Sequence, residues 1–169
     1  RQGKFLAKML KIVSGIETSS DKEVQKIKVA IIGAGKVGVA LAEELLNNAG
    51  AAYLPRCFVD ANLEKAGREI YGIPVWSNED ATFKKFAEYE IQEVIFAIPD
   101  MDVDRKKALF ERYKKAGYKV KVYDYPTVYS PEGKRQLREF SAAEAPDTLI
   151  RTMEVYLAPE AVSYTHLRA

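Results

Sequence analysis

Gly33, Gly35 and Gly38 stand as Gly-x-Gly-x-x-Gly in the run Gly33-Ala34-Gly35-Lys36-Val37-Gly38. That spacing serves one kind of chemistry, the holding of a phosphate. The first glycine permits a tight turn. The second lacks a Cβ, so a pyrophosphate can approach the backbone. The third lets a helix pack against a strand. Free N–H groups and the helix dipole then favour an anion, with the amides of Lys36 and Val37 assisting. The Lys36 side chain reads either as a phosphate contact or as a solvated turn lysine.

Asp60 lies 22 residues beyond Gly38, at the end of an expected second strand. A carboxylate there accepts hydrogen bonds from both hydroxyls of an adenosine ribose and repels a 2′-phosphate. The expected ligand is therefore NAD, or another adenine nucleotide, rather than NADP. Without such a ligand, the turn would serve only packing and Asp60 would be a strand-end turn residue.

A complete catalytic set is missing. Nucleotide-sugar dehydratases and short-chain dehydrogenases need Tyr-x-x-x-Lys, in which the lysine lowers the tyrosine pKa for general acid/base work. None of the ten tyrosines has a lysine four residues on. Asp100, Asp102 and Asp104 read as the acid-rich start of a helix. One cysteine, Cys57, excludes an internal disulfide, and with one histidine, His166, it leaves no Cys/His cluster for zinc. We expect no catalytic residue and no metal in this chain.

The elements that must position these residues alternate. "IKVAIIGAG" is a strand running into the glycine turn, and "VGVALAEELLNN" has helical spacing. Short strands follow at Cys57–Val59 and around Pro74–Trp76. "NEDATFKKFAEYE" starts a helix, "QEVIFAIPD" is a strand stopped by Pro99, "DVDRKKALFERYKKAG" is a helix ending at Gly117, and "YKVKVYDYP" is a strand stopped by Pro126. This order predicts an α/β domain in three layers, Rossmann-like, with a mainly parallel sheet. Ligands of such sheets sit at the carboxyl ends of the strands, so Ala97, Ile98 and Pro99 are expected to line the nucleotide pocket beside the turn.

Composition agrees with a globular domain, at 47% hydrophobic and 30% charged residues. A net charge of +2 is too small to argue for a nucleic-acid partner. No apolar run approaches the roughly 18 residues of a membrane span. Residues 1–25 form a basic arm and linker. Its start, "RQGKFLAKMLKIV", has helical spacing and reads either as a helix packed on its own domain or as a juxtamembrane helix on an anionic surface. Residues 26–128 form the nucleotide-binding domain, 129–162 a C-terminal linker, and 163–169 ("SYTHLRA") a tail that resembles adapter-derived read-through.

"KVAIIGAGKVGVALAEELL", "YLPRCFVDANLEKAGREIYGIPVWS", "EVIFAIPD" and "GYKVKVYDYP" resemble one domain in particular. It is the N-terminal Rossmann domain, often described as CoA-binding-like, of bacterial membrane-bound polysaccharide biosynthesis proteins. These include nucleoside-diphosphate-sugar 4,6-dehydratases and epimerases. The resemblance covers roughly Ile27 to Pro126, and more loosely continues to Val162. It implies transmembrane helices upstream, a location at the cytoplasmic face of the inner membrane, and a catalytic Rossmann domain downstream. As a fragment the chain is expected to be soluble, and homo-oligomerisation stays open. Leu149-Ile150-Arg151 looks similar to the family's arginine-bearing linker.

What the resemblance implies is a non-catalytic NAD- or nucleotide-binding domain of a UDP-sugar 4,6-dehydratase or epimerase. The parent would serve capsule, O-antigen or exopolysaccharide synthesis. The same domain occurs on polyprenyl-phosphate sugar-phosphate transferases, and a free-standing nucleotide sensor is a further alternative.

Overall fold

The computed structural model describes residues 25–79, 81–138 and 145–153. The expected basic N-terminal helix and the read-through-like tail lie outside the described residues, as does His166. The chain enters through β1 (Ile27–Ile32), whose IKVAII is rich in β-branched residues suited to a buried strand. It turns at the glycines into α1 (Lys36–Asn47) and returns along β2 (Tyr53–Asp60). A hairpin of β3 (Glu69–Ile70) and β4 (Ile73–Ser77) follows, then α2 (Ala81–Glu88). Next come β5 (Glu93–Phe96), α3 (Val103–Lys115) and β6 (Lys119–Tyr123).

The seven-stranded sheet has the order β3-β4-β2-β1-β5-β6-β9, where β9 is Ile150–Thr152 near the end of the described residues. Its five central strands are parallel, and the two edge strands pair antiparallel. The expected three-layer, mainly parallel Rossmann-like fold is what the chain adopts. Strand order reverses at β1, which pairs with β2 on one side and β5 on the other. Ile32 is level with both Val59 and Phe96. Gly33, Asp60 and Ala97 therefore leave the sheet at the same height, on the crevice where ligands of open α/β sheets bind.

Each face of the sheet has its own core. Leu41, Ala42 and Leu45 of α1 pack on Val29, Ile31, Phe58 and Ile95. Phe86 of α2, with Phe110 and Tyr113 of α3, packs on Ala30, Ile32, Val94 and Phe96. The rings of Phe86 and Tyr113 stack with centroids 6.1 Å apart. Fully burying a side chain such as Leu41 or Phe86 contributes roughly 1.5–3 kcal/mol. These two layers fix the helices, and so the turn that α1 closes.

Three local outcomes differ from the sequence expectation. β2 starts at Tyr53, four residues earlier than expected, and runs through Pro55. The register shifts there, from Val29 opposite Pro55 to Ala30 opposite Cys57. Such a bulge accommodates a residue with no N–H to donate. The β3–β4 hairpin turns through Tyr71 and Gly72, both at positive φ (53° and 76°). Two positive-φ residues make the tight turn that matches strand twist.

The third difference concerns the segment expected to be a linker. β7 (Thr127–Tyr129) and β8 (Arg135–Leu137) form a separate antiparallel pair. A 3₁₀ turn (Pro146–Leu149) leads into β9 (Ile150–Thr152), which closes the sheet against β6. Asp147 Oδ2 accepts the Ala52 N–H at 2.8 Å, tying this turn to the start of β2. Of the expected linker motif Leu149-Ile150-Arg151, Leu149 thus ends the 3₁₀ turn and Ile150 and Arg151 are part of the folded sheet.

Candidate functional site

The three glycines of the turn do three different things. Gly33 has φ +110°, and a Cβ on it would lie 2.5 Å from the Ala97 carbonyl oxygen. A Cβ on Gly38 would lie 1.8 Å from the Gly33 carbonyl oxygen, so α1 rests directly on the turn. Gly35 is open: the nearest atom to a Cβ there is Lys65 Nζ, at 4.0 Å. Gly35 is also the N-cap of α1, and no side chain caps the helix. The first turn carries no acid either. Its N–H groups lack intrahelical partners, so they and the positive end of the helix dipole face the open side.

Asp60 ends β2 beside this turn. Its Oδ2 accepts the Ala34 N–H at 2.8 Å and its Oδ1 accepts the Asn62 N–H at 2.8 Å. Lys65 Nζ lies 3.8 Å from the same Oδ2 and donates to the Ala34 carbonyl at 3.5 Å. An ionised carboxylate has about four acceptor positions. Two backbone amides and one ammonium orient Asp60 and still leave it able to accept from a ligand hydroxyl. With 15% of its side chain exposed, it is reachable from solvent yet held in place.

A cleft of about 430 Å³ joins these groups. Of the expected residues, Gly33, Gly35, Lys36 and Val37 line it from the turn. Asp60 lines it from β2, and Ala97, Ile98 and Pro99 from the end of β5. Ala34 and Gly38 do not face it. Ala34 is buried with its N–H on Asp60, and Gly38 packs against the turn.

Sequence reasoning missed Asn62, Lys65, Met101 and Arg105. Asn62, Met101 and Arg105 line the cleft, and Lys65 bridges Asp60 and the turn. The available signal was "DANLEK": an Asx-type turn after the acid, with a lysine five residues on. A further cavity of about 280 Å³ opens beyond Asp60, lined by Ala61, Asn78, Met101, Arg105 and Leu109 among others. The acids after β5 sit as expected at a helix start. Asp102 caps α3 by accepting the Arg105 N–H at 2.9 Å, and Asp104 is in its first turn.

Reactive groups elsewhere are held quiet. Burial pushes the Cys57 thiol far above its ordinary value, and it is fully enclosed in β2. Burial likewise raises the Tyr113 phenol. Among the described residues no group of three or more His, Cys, Asp or Glu could hold a metal ion. No helix of the described residues is long and apolar enough to cross a membrane.

Fold and site together define a Rossmann-like α/β domain with an open glycine turn and an acid beside it. The chain is 26% identical over 106 residues to the probable polysaccharide biosynthesis protein EpsC of Bacillus subtilis (strain 168). The match takes in 63% of this chain and 18% of EpsC, so the chain spans less than a fifth of that relative. Among solved structures, it is similar to UDP-D-quinovosamine 4-dehydrogenase from Vibrio fischeri, with a TM-score of 0.54 at 22% identity. That superposition covers 68% of this chain and 95% of the other, and at such identity it shows the fold. RSP, a Rex-family repressor solved with β-NAD⁺ and operator DNA, gives a TM-score of 0.47 at 21% identity, over 98% of this chain and 68% of its own. No protein-family model matches.

Proposed function

We propose that this chain is the nucleotide-binding, non-catalytic domain of a larger polysaccharide-biosynthesis enzyme, and that it holds NAD or another adenine nucleotide. The observation that carries the reading is one arrangement in one cleft. An uncapped helix N-terminus opens at a glycine with free space above it, and an oriented carboxylate stands beside it. The cradle at Gly35 is the room that a Cβ would fill, so the residues present fit a pyrophosphate.

Gly35 and the amides of Lys36 and Val37 would hold the phosphates, and Asp60 the ribose. Gly33 and Gly38 would shape the turn, and Ala97, Ile98 and Pro99 would wall the pocket. The cavity past Asp60, with Met101 and Leu109 on its apolar side, suits an adenine ring. NAD supplies hydride-transfer chemistry when bound. The residues of this chain only bind and orient, since the described part offers no activated tyrosine, thiol or histidine beside the cleft.

The likeness to EpsC supports a role in polysaccharide synthesis, and the small share of EpsC that is covered leaves room for a catalytic domain elsewhere in a parent chain. We read that parent as a membrane-bound nucleotide-sugar 4,6-dehydratase or epimerase at the cytoplasmic face of a bacterial membrane. Isothermal titration of NAD⁺ into the wild type and into Gly35→Val and Asp60→Ala tests the site. Saturable binding that is lost in Gly35→Val and weakened in Asp60→Ala is expected. No binding to the wild type, or equal binding to all three, overturns it. Turnover of NAD⁺ with any UDP-sugar by the isolated chain would overturn the non-catalytic reading.

A further inference from the structure

A second cavity, of about 130 Å³, lies at the carboxyl ends of β5 and β6. It meets the cleft at Ile98 and Pro99, which line both. Its floor is apolar, from Phe96, Val122 and Met153, and its polar wall is Lys106, Asp124 and Arg135. Its size is enough for one tetrahedral oxyanion.

The charges converge from separate elements. Lys106 comes from α3, Asp124 follows β6, and Arg135 comes from β8. Arg135 Nη2 is 3.7 Å from Asp124 Oδ1, and Arg151 Nε of β9 is 3.4 Å from Asp124 Oδ2. One carboxylate therefore answers two guanidiniums, at distances longer than a tight ion pair. The Arg135 guanidinium lies 4.5 Å over the Tyr125 ring, which keeps it at the cavity mouth. Lys106 is half-buried and donates to the Pro99 carbonyl at 3.3 Å. Desolvation lowers its pKa and the Arg135 charge lowers it further, against the opposing pull of Asp100. Lys106 and Arg135 thus bring like charges to one cavity, and an anion between them would offset their repulsion.

We propose that this cavity is an anion pocket for a single phosphate group, distinct from the glycine turn. Arg135 supplies the planar fork that matches a phosphate, Lys106 the opposing point charge, and Asp124 the support that aims Arg135. The phosphate can be free, or it can belong to a nucleotide whose remaining part lies outside the cavity. Because the two sites share Ile98 and Pro99, its occupant would sit next to the cleft.

The test is calorimetric titration of inorganic phosphate, and separately of UMP, into the full chain at fixed ionic strength in a chloride buffer. With the glycine turn blocked by Gly35→Val, saturable phosphate binding is still expected, and in that background Arg135→Gln and Lys106→Gln each weaken it at least fivefold. Arg135→Gln should leave NAD⁺ affinity unchanged, so failure here and failure at the glycine turn are separable. Arg135 is exposed and Lys106 half-exposed, and thermal unfolding of each variant checks that the fold survives. UMP binding weakened by the same two substitutions assigns the pocket to a nucleotide phosphate, and UMP binding indifferent to them assigns it to the free ion. No saturable phosphate binding once Gly35→Val has blocked the turn, or equal binding there with and without Arg135→Gln and Lys106→Gln, overturns the proposal.

Discussion

Adding one methyl group to each glycine of the turn should have three different consequences. In Gly38→Ala the new Cβ would lie 1.8 Å from the Gly33 carbonyl oxygen. A comfortable C···O approach is about 3.3 Å, so α1 must retreat by roughly 1.5 Å. It cannot do so freely, because Leu41 and Leu45 of the same helix are fully buried in the core. Overpacking against backbone belongs at the upper end of its usual range, about 3 kcal/mol. In Gly33→Ala the left-handed φ of +110° adds strain of roughly 1–3 kcal/mol, on top of the 2.5 Å overlap with the Ala97 carbonyl. Gly35→Ala meets only the end of the Lys65 side chain at 4.0 Å and keeps an ordinary extended backbone. Its cost is the poorer N-cap, below about 1 kcal/mol.

Thermal unfolding of the three variants reads the ranking. At roughly 2–4 °C per kcal/mol for a chain of this size, Gly33→Ala and Gly38→Ala should lower Tm by about 6–12 °C. Gly35→Ala should stay within about 5 °C of wild type. Titration with NAD⁺ then separates structure from ligand. Gly35→Ala should lose tenfold or more in affinity, since a displaced phosphate forfeits a hydrogen bond to charge of about 1.5–3 kcal/mol. If Gly35→Ala falls in Tm as far as Gly38→Ala, the geometry of the turn is wrong. If it is stable and binds NAD⁺ as well as wild type, the phosphate assignment is wrong.

Asp60→Asn should destabilise the chain by about 2 kcal/mol: whichever way the amide is turned, its NH₂ confronts either the Ala34 or the Asn62 N–H. A urea midpoint equal to wild type would refute the role of Asp60 in holding the turn. Cys57, buried and with its thiol pushed up, should react with a disulfide reagent only as the protein unfolds, so rapid stoichiometric labelling of the native chain would contradict its placement. Tyr113 has a raised folded-state pKa, so above the ordinary tyrosine value of about 10 the unfolded phenol loses its proton while the folded one keeps it. Stability should therefore fall as pH rises past about 10. Tyr113→Phe should make that fall shallower, in denaturant titrations from neutral to alkaline pH.

What could be read ahead of the structure follows from how locally each feature is encoded. The turn and Asp60 were readable because a glycine with no Cβ and a short carboxylate at a strand end have few places to be. Eight of the ten expected residues line one cleft for that reason. Lys65 was not readable: a loop lysine has many rotamers, and its position between Asp60 and Ala34 exists only once β1 and β2 are level. The strand at Pro74–Trp76 was readable, but β3 was not, because two residues carry no periodicity and Tyr71 takes a positive φ that its side chain does not announce.

β9 escaped for a different reason. It is three residues long, too short for any periodicity, and it is held as a strand by pairing with β6 and by Met153 and Ile150 reaching the two cores. The anion pocket is the extreme case. Lys106, Asp124, Arg135 and Arg151 come from four separate segments, and each alone reads as an ordinary surface charge. Only the sheet order that places β9 beside β6, with the β7–β8 hairpin between them in sequence, makes two arginines share one carboxylate. A site encoded this way can be lost without any motif changing, so Arg135→Gln would leave every sequence signature of the domain intact while weakening the phosphate affinity proposed for it.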